Sequence, residues 1–427
     1  MTILRQLPWS LVLCAALLGG CGSGSISDIF HAFPPEVFKP PDPTPPTPPP
    51  GGGGGFTAGE VKFLEAAQGV SGDVRNIALA QVGARTLAFL AAGTSGCHVV
   101  DVTKPELVNS TSYVTTIRAS TLTVPPAALD GGRVDAVAVI DNAYVVCIAV
   151  GTAAPNAVSL FHIPSLVAAA TTPSADLSAA FVPRTGDIPV PGNASGKAGG
   201  VSGAGSTFVI ATGGPALGFG VIAAGTPGTW TALPAFVSPA APAVDRFLDA
   251  FLRFPNIYVS VQSGATFGIL ALNITVTPAP GVTVATPQVI AIPGDFPLVA
   301  ADSISGPGNF PLDLDVDTSS LFIGGVNEVQ ILNVTNPVLP APLNIAQNTG
   351  VDTIAVEASG GFFAVGAGDR VRVYSTLTGQ PLQTASVTFT GTFTIRGVAL
   401  HSSSAGRFVL CCAGTRGLRV VQWSNIP

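Results

Sequence analysis

The feature that most constrains the fold is a unit that recurs along the chain after residue 60. Its clearest copies are AGTSGCHVVD at positions 92–101 and AGTRGLRVVQ at positions 413–422, which are identical at six of ten positions. A strand, a Gly-containing turn and a second strand account for this pattern. Because the copies lie near opposite ends of the chain, they predict one architecture assembled from similar units.

Seven related units can be traced, each with a short alternating strand, a turn, an apolar strand, a Gly turn and a third strand. They begin near Val74, Val134, Gly196, Leu248, Leu312, Val351 and Ile395. The third strands are predicted at Cys97–Val102, Ala157–Ile163, Gly218–Ala223, Gly268–Leu272, Val329–Val334, Arg370–Ser375 and Leu418–Trp423. Spacings of about 40 to 60 residues suit the four-stranded blades of a β-propeller. Because the third unit is a weak match, six or eight blades are alternatives.

Composition agrees with an all-β fold. The chain has 50 Gly, 38 Pro and one Met, a balance that favours strands and turns over long helices. Hydrophobic residues make up 47% of the chain, which is ample for a core, and charged residues only 10%. The net charge of −6 offers no basic surface for nucleic acid, so we expect no nucleic-acid partner.

The first 20 residues are typical of a secretion signal. Arg5 is followed by an apolar stretch, Leu11–Leu18, which is too short to span a bilayer. The stretch ends in Leu18-Gly19-Gly20-Cys21, which resembles the lipobox of bacterial lipoproteins. The resemblance implies a membrane anchor through lipid on Cys21, and the absence of Asp at the next position, Gly22, favours the outer membrane. An ordinary signal peptide is the alternative.

A Pro- and Gly-rich linker follows. Between Pro34 and Gly55, ten of the 22 residues are Pro and five are Gly. Such a run favours extended polyproline II at about 3.1 Å per residue, so it would act as a stiff spacer. The predicted organisation is a signal peptide at 1–20, a lipidated Cys and linker at 21–60 and a repeat domain at 61–427.

The repeat resembles that of the bacterial LVIVD-repeat propellers, which ends in Asp-Val-Ser/Thr-x-Pro after an apolar strand. The segment VVDVTKP at 99–105 fits that ending, and ILNVTNP at 331–337 nearly does. Aromatic-aliphatic pairs at 144–145, 258–259 and 322–323 occupy the second-strand position. The resemblance covers 61–427, although most third strands lack the Asp. It implies a single propeller of seven four-stranded blades and no particular activity.

The two ends of the repeat domain predict how it closes. The seventh unit stops at Pro427 after its third strand, and VKFLEA at 61–66 precedes the first unit. An N-terminal strand at 61–66 would complete the last blade and remove an exposed edge.

Motifs for catalysis or metal binding are weak. The four histidines His31, His98, His162 and His401 are scattered, and no G-x-S-x-G sequence occurs. The segment 192–197, GNASGK, is one residue short of a phosphate-binding loop. Asp313, Asp315 and Asp317 are the best metal candidate. In a strand, however, their carboxylates would be spaced along one face, which instead favours polar positions beside a propeller channel.

A pattern of charges appears when the units are aligned. One charged residue lies near the start of each predicted first strand: Arg75, Asp135, Lys197, Asp249, Asp313, Asp352 and Arg396. Since first strands line a propeller channel, these residues would surround one mouth of it. They would either bind a small polar ligand or form ion pairs between blades, and the acidic run from Asp249 to Asp352 would attract a cation or an amine.

Four cysteines remain in the repeat domain: Cys97, Cys147, Cys411 and Cys412. Neighbouring units would allow Cys97 to pair with Cys147 or with the Cys411-Cys412 pair, and a vicinal bridge is a further option. Buried thiols are the alternative. Since successive strand residues face opposite ways, His98 is poorly placed to activate Cys97.

These patterns favour a non-enzymatic protein without cofactor or metal. We expect a monomeric, lipid-anchored propeller at the bacterial envelope that acts as a binding or scaffolding module, with a protein, peptide or glycan as its ligand. The rival hypothesis is a metal-dependent, lactonase-like propeller hydrolase with carboxylates at the channel mouth.

Overall fold

The computed structural model of the protein describes 59–64, 70–118, 134–148, 158–172, 175–186, 188, 201–202, 205–222, 228–237, 245–253, 255–263, 266–277, 281–284, 288–290, 313–325, 328–336, 341–347, 353–377, 381–391 and 394–424. The chain divides into two units, Met1–Gly55 and Phe56–Pro427. The predicted signal, Cys21 and most of the linker fall in the first unit, outside the described residues. In the second unit, none of the described helices is long and apolar enough to cross a membrane.

The second unit consists mainly of short antiparallel strands, which form seven sheets that we number in chain order. Strand β1 (Gly59–Leu64) opens the unit and joins the last sheet. Sheet 1 contains β2 (Asn76–Val82), β3 (Arg85–Ala91), β4 (Cys97–Asp101) and β5 (Tyr113–Ile117). Sheet 2 contains β6 (Ala136–Ile140), β7 (Tyr144–Ile148) and β8 (Val158–His162). Sheet 3 contains β9 (Arg184–Thr185), β10 (Val201–Ser202), β11 (Gly205–Ala211), β12 (Ala216–Ile222) and β13 (Trp230–Val237).

The later sheets follow the same plan. Sheet 4 contains β14 (Arg246–Arg253), β15 (Asn256–Ser263), β16 (Thr266–Thr277), β17 (Gly281–Val284) and β18 (Gln288–Ile290). Sheet 5 contains β19 (Leu314–Asp317), β20 (Ser320–Gly325), β21 (Glu328–Asn333) and β22 (Ala341–Gln347). Sheet 6 contains β23 (Thr353–Ser359), β24 (Phe362–Ala367), β25 (Arg370–Ser375) and β26 (Leu382–Thr388). Sheet 7 contains β27 (Gly397–Ser403), β28 (Gly406–Cys412) and β29 (Leu418–Ser424), followed by β1.

The seven predicted third strands are all present, as β4, β8, β12, β16, β21, β25 and β29. The predicted N-terminal strand is also present, shifted to Gly59–Leu64. It pairs antiparallel with β29, with Leu64 opposite Leu418. The sequence patterns therefore located both the repeat and the strand that completes sheet 7.

The prediction of four strands in every sheet is only partly correct. In the described residues, sheet 2 has three strands, because Pro164 follows β8 and the chain continues as helix α1 (Ile163–Ala169). An isolated antiparallel β-bridge between Phe161 and Phe181 occupies the position of a fourth strand. The chain then forms β9, which joins sheet 3 in parallel with β13. Besides α1, the described residues form three short 3-10 helices, at Pro105–Leu107, Ser110–Ser112 and Ser178–Ala180.

The core consists of seven hydrophobic clusters, and each cluster fills the junction between two sheets. The clusters join sheets 1 and 2, 2 and 3, 3 and 4, 4 and 5, 5 and 6, 6 and 7, and finally 7 and 1. Alternate residues of one strand serve opposite junctions: Val409 packs toward sheet 6 and Leu410 toward sheet 1. Every sheet thus has an apolar neighbour on both faces.

The recurring A-G-T-x-G sequence forms a turn that also links neighbouring sheets. Gly93, with φ +57°, exchanges two 2.8 Å backbone hydrogen bonds with Val134, which leads into sheet 2. Gly414, also with φ +57°, exchanges bonds of 3.0 and 3.1 Å with Val74, which leads into sheet 1. Glycine suits both positions because other residues disfavour positive φ. The repeat therefore encodes a backbone link from each of these two turns to the chain that starts the next sheet.

Candidate functional site

Charged residues gather where the chain enters sheets 1, 2 and 7. The Arg75 guanidinium donates to Asp135 Oδ1 through Nη1 at 2.7 Å and to Asp73 Oδ2 through Nε at 2.8 Å. Arg396 Nη1 lies 3.6 Å from the same Asp73 oxygen. The Asp135 side chain is 7% exposed, whereas the other three are about a third exposed. We call these four residues the charged cluster.

The charged cluster matches part of the sequence prediction. Arg75 pairs with a carboxylate of the adjacent unit, and Arg75 and Arg396, from the first and last units, meet through Asp73. Asp73 was missed, although it lies two positions before Arg75. Partly exposed ion pairs of this kind stabilise by only about 0–1 kcal/mol each, so their main effect here is to fix how the segments that lead into sheets 1, 2 and 7 lie relative to one another.

Two other predicted carboxylates accept backbone N–H groups from the next sheet. Asp249, which is 2% exposed, accepts from Leu314 N at 2.9 Å. Asp313 accepts from Val356 N at 2.7 Å. Asn76 does the same in sheet 1, since its Oδ1 accepts from Val137 N at 3.1 Å. Lys197 and Asp352, the remaining members of the predicted set, lie outside the described residues.

The Asp313–Asp317 motif repeats this contact at three alternate positions, Asp313, Asp315 and Asp317. Asp313 bonds Val356 N, Asp315 forms a short hydrogen bond with Ala358 N, and Asp317 accepts from Gly361 N at 3.0 Å. Asp315 Oδ1 also accepts from Val316 N at 2.9 Å. The three carboxylates thus lie along sheet 6 and do not converge on one point, so the geometry explains the motif as an inter-sheet contact. Among the described residues, no group of three or more His, Cys, Asp or Glu side chains could hold a metal ion.

A central cavity of about 310 Å³ lies where the first strands meet. Its lining comes from β2, β6, β14, β19, β23 and β27, the first strands of six sheets. Most of the lining is Ala, Val, Leu, Ile and Phe, and the polar exceptions are Asn76, Asp315 and Glu357. The described lining of this cavity therefore places three polar side chains among otherwise apolar residues.

The Asp-Val-Thr-x-Pro segment has a clear structural role. Asp101 accepts from Thr103 N at 3.0 Å, from Thr103 Oγ1 at 2.6 Å and from Arg85 Nε at 2.8 Å. Burial alone would raise the pKa of this carboxyl, but the hydrogen bonds from Thr103 and Arg85 outweigh it and lower the pKa. Asn333 accepts from Thr335 N in the same way in sheet 5. The Asp-Val-Thr-x-Pro ending is thus a turn that side-chain oxygens stabilise.

His98 is a structural residue at the junction of sheets 7 and 1. It is fully buried, with Nδ1 2.7 Å from Thr116 Oγ1 and Nε2 2.7 Å from Ser71 O. Burial lowers its pKa, so the neutral ring donates from Nε2 to Ser71 and accepts at Nδ1. Tyr113 continues the network with a short hydrogen bond to Thr116. His98 therefore ties the segment between β1 and β2 to sheet 1.

All four described cysteines are free thiols and buried. Cys97 lies in the cluster between sheets 1 and 2 together with Cys147. Burial, followed by the proximity of Cys147, raises the pKa of Cys97, and burial raises that of Cys412. A high pKa disfavours the thiolate, so Cys97 and Cys412 are poor nucleophiles.

No family model and no curated protein matches this chain. Solved structures with a similar fold include a chain from the mitotic checkpoint complex, with 11% identity and a TM-score of 0.49, covering 86% of this chain and 95% of that chain. Another is the extracellular domain of a putative one-component system from B. thetaiotaomicron, with 14% identity and a TM-score of 0.48, covering 85% of this chain and 39% of that chain. Both are β-propeller-like folds. The fold assignment therefore depends on this chain itself, an all-β unit whose described strands form seven small, mainly antiparallel sheets.

Proposed function

We propose that the seven sheets are the blades of one closed β-propeller of the LVIVD-repeat type. The observation that carries this proposal is the cyclic order of the hydrophobic clusters, in which the last cluster packs sheet 7 against sheet 1. Leu64 of β1 belongs to that cluster, and Val74 and Gly414 add a direct backbone link between the same two sheets. The central cavity, lined by six first strands, is the expected channel.

The function we propose is a non-enzymatic binding or scaffolding module that is exported and anchored to the bacterial envelope through lipid on Cys21. Two sequence features support the location: the Leu18–Cys21 lipobox-like ending and the Pro/Gly linker at 34–55. The described carboxylates support binding over metal catalysis, because those of the Asp313–Asp317 motif are engaged with backbone N–H groups of sheet 6. The expected partner is an envelope protein or a glycan.

Lipid anchoring can be tested by labelling with radioactive palmitate in a bacterial host. We expect the parent chain to incorporate label and to partition into detergent, and Cys21→Ala to do neither. Cys14→Ala is the matched control, because Cys14 lies within the apolar stretch and away from the predicted cleavage point. Labelling of Cys21→Ala at the level of Cys14→Ala would contradict the anchor.

Metal analysis of the purified full chain separates a binding module from a metal-dependent hydrolase. A binding module without metal should carry far less than one divalent ion per chain after dialysis. Stoichiometric calcium or zinc, lost in Asp315→Asn or Asp135→Asn variants that remain folded, would favour the hydrolase.

A further inference from the structure

The four cysteines of the repeat domain face three different junctions. Cys97 and Cys147 both lie in the cluster between sheets 1 and 2. Cys411 lies in the cluster between sheets 6 and 7, and Cys412 in the cluster between sheets 7 and 1. Because successive strand residues face opposite ways, Cys411 and Cys412 point away from each other, and Cys412 approaches the face of sheet 1 opposite to that of Cys97. Of the pairings that the sequence leaves open, only Cys97 with Cys147 places both thiols in one junction.

The strand registers place Cys97 and Cys147 in matching rows of this junction. In sheet 1, Cys97 is opposite Ala91, which is in turn opposite Asn76. In sheet 2, Cys147 is opposite Val137. The Asn76 side chain joins the two rows, because its Oδ1 accepts from Val137 N at 3.1 Å. The two cysteines therefore lie in rows of residues that are linked to each other at their inner ends.

Backbone contacts hold sheets 1 and 2 together beside the two cysteines. Gly93, in the turn before Cys97, exchanges two 2.8 Å hydrogen bonds with Val134. Cys147 is also close enough to Cys97 to raise the pKa of its thiol, after the larger effect of burial. A disulfide needs Cβ atoms about 3.5–4.5 Å apart, so it forms without strain only where the backbone already brings two cysteines together. Here the contacts between the two sheets do so.

The burial of both thiols decides when such a bond can form. Each is fully buried in the folded protein, and the raised pKa of Cys97 disfavours the thiolate that attacks a disulfide oxidant. The bond must therefore form while the chain folds, before sheets 1 and 2 close over the cysteines. One cysteine thiolate attacks the oxidant disulfide, forms a mixed disulfide and releases one thiol, and the second cysteine displaces the other. The two cysteines lose two protons and two electrons, and the oxidant is reduced to two thiols.

We infer that Cys97 and Cys147 form a disulfide between sheets 1 and 2 when the chain folds in the presence of a disulfide oxidant such as oxidised glutathione. The structure shows the reduced form of this pair. In the cell this step rests on the proposed export, because the cytoplasm keeps thiols reduced. The cross-link holds the first two sheets together in the unfolded chain and so favours the folded one.

Refolding of the full chain in glutathione buffer tests the inference in solution, so the outcome does not depend on export or lipid anchoring. Cys14→Ala and Cys21→Ala substitutions leave only the four cysteines of the repeat domain. The reduced chain is refolded from urea in detergent with reduced and oxidised glutathione, its free thiols are blocked with iodoacetamide in fresh urea, and its peptides are mapped by mass spectrometry. We expect the peptides of Cys97 and Cys147 to be linked and the other two cysteines to be alkylated. Alkylation of all four cysteines, or a bond that involves either of the other two, would overturn the inference.

Variants in the same background assign the bond. Cys97→Ala and Cys147→Ala should each abolish it without a replacement. Cys412→Ala is the matched control, because Cys412 is also a fully buried thiol, and it should keep the bond. Loss of the bond in Cys412→Ala would refute the pairing. Cell-free synthesis with the same glutathione mixture gives a second measurement for any chain that does not refold from urea.

Two further readouts test the timing and the effect of the bond. Chain that has been folded with a reductant should oxidise about tenfold more slowly in the same buffer than refolding chain, because its thiols are buried. Equal rates would contradict formation during folding. The oxidised chain should melt about 3–5 °C above the reduced chain. Equal melting temperatures would contradict the stabilising effect.

Discussion

Replacing Leu64 by Ala should strongly destabilise the protein, because Leu64 fixes the N-terminal strand to the last sheet. The side chain is fully buried in the cluster that joins sheets 7 and 1, where it packs with Leu418 and Phe408. A buried Leu→Ala change costs about 2–5 kcal/mol in free energy of unfolding, depending on how far the cavity collapses. Leu377, which is 69% exposed, provides the control, and Leu377→Ala should stay within about 0.5 kcal/mol of the parent.

Urea denaturation followed by circular dichroism gives these differences from the midpoints and slopes. A double-mutant cycle with Leu418→Ala then tests the pairing itself, because Leu64 and Leu418 are directly opposite in the register of β1 and β29. Residues in contact show a coupling energy of about 0.5–3 kcal/mol. Strict additivity of the two substitutions, or a Leu64→Ala midpoint equal to that of Leu377→Ala, would refute the reasoning.

Three further predictions concern single contacts. Asp315→Ala should lower the free energy of unfolding by about 1–3 kcal/mol in urea titrations, because it leaves the Ala358 N–H without this acceptor, and Asp315→Asn should lower it less; equal losses would contradict the contact. Gly96→Ala should reduce the melting temperature more than Gly83→Ala, since both have positive φ but only at Gly96 would a Cβ meet a backbone oxygen, at 2.3 Å; the reverse order would contradict this. Because burial lowers the pKa of His98, the unfolded chain binds the proton more readily, so stability should fall as pH drops below about 6.5, and His98→Gln should make that fall shallower; an unchanged slope would exclude His98 as a cause.

The strands could be predicted because their signals are local. Alternating apolar residues and the turn glycines Gly96 and Gly417 occur within a few positions of the elements that they define. The A-G-T-x-G copies identified the repeat, and the counting of third strands identified β1 as a completing strand. The first inference needed only local patterns, and the second added one assumption, that the first and last units are neighbours.

The partners of the acidic residues could not be predicted, because they lie on another sheet. Asp313 and Asp315 bond backbone N–H groups of Val356 and Ala358, and any sequence can supply a backbone N–H. The pattern of charges therefore favoured ion pairs between neighbouring units and an acidic run from Asp249 to Asp352 that would attract a cation. It was right for Arg75 and Asp135, where both partners are side chains. A backbone acceptor role leaves no complementary residue in the sequence to recognise.

The pairing of β1 with β29 affects how the protein folds while it is being synthesised. Leu64 emerges from the ribosome among the first residues of the domain, and its partner Leu418 among the last. Until then β1 has no partner strand and sheet 7 is incomplete, so both carry unpaired backbone groups that another chain could bind. Contacts this distant in sequence also slow folding. These backbone groups therefore stay unpaired until β29 has been made, and truncation within β29 should be more harmful than loss of the residues before Gly59.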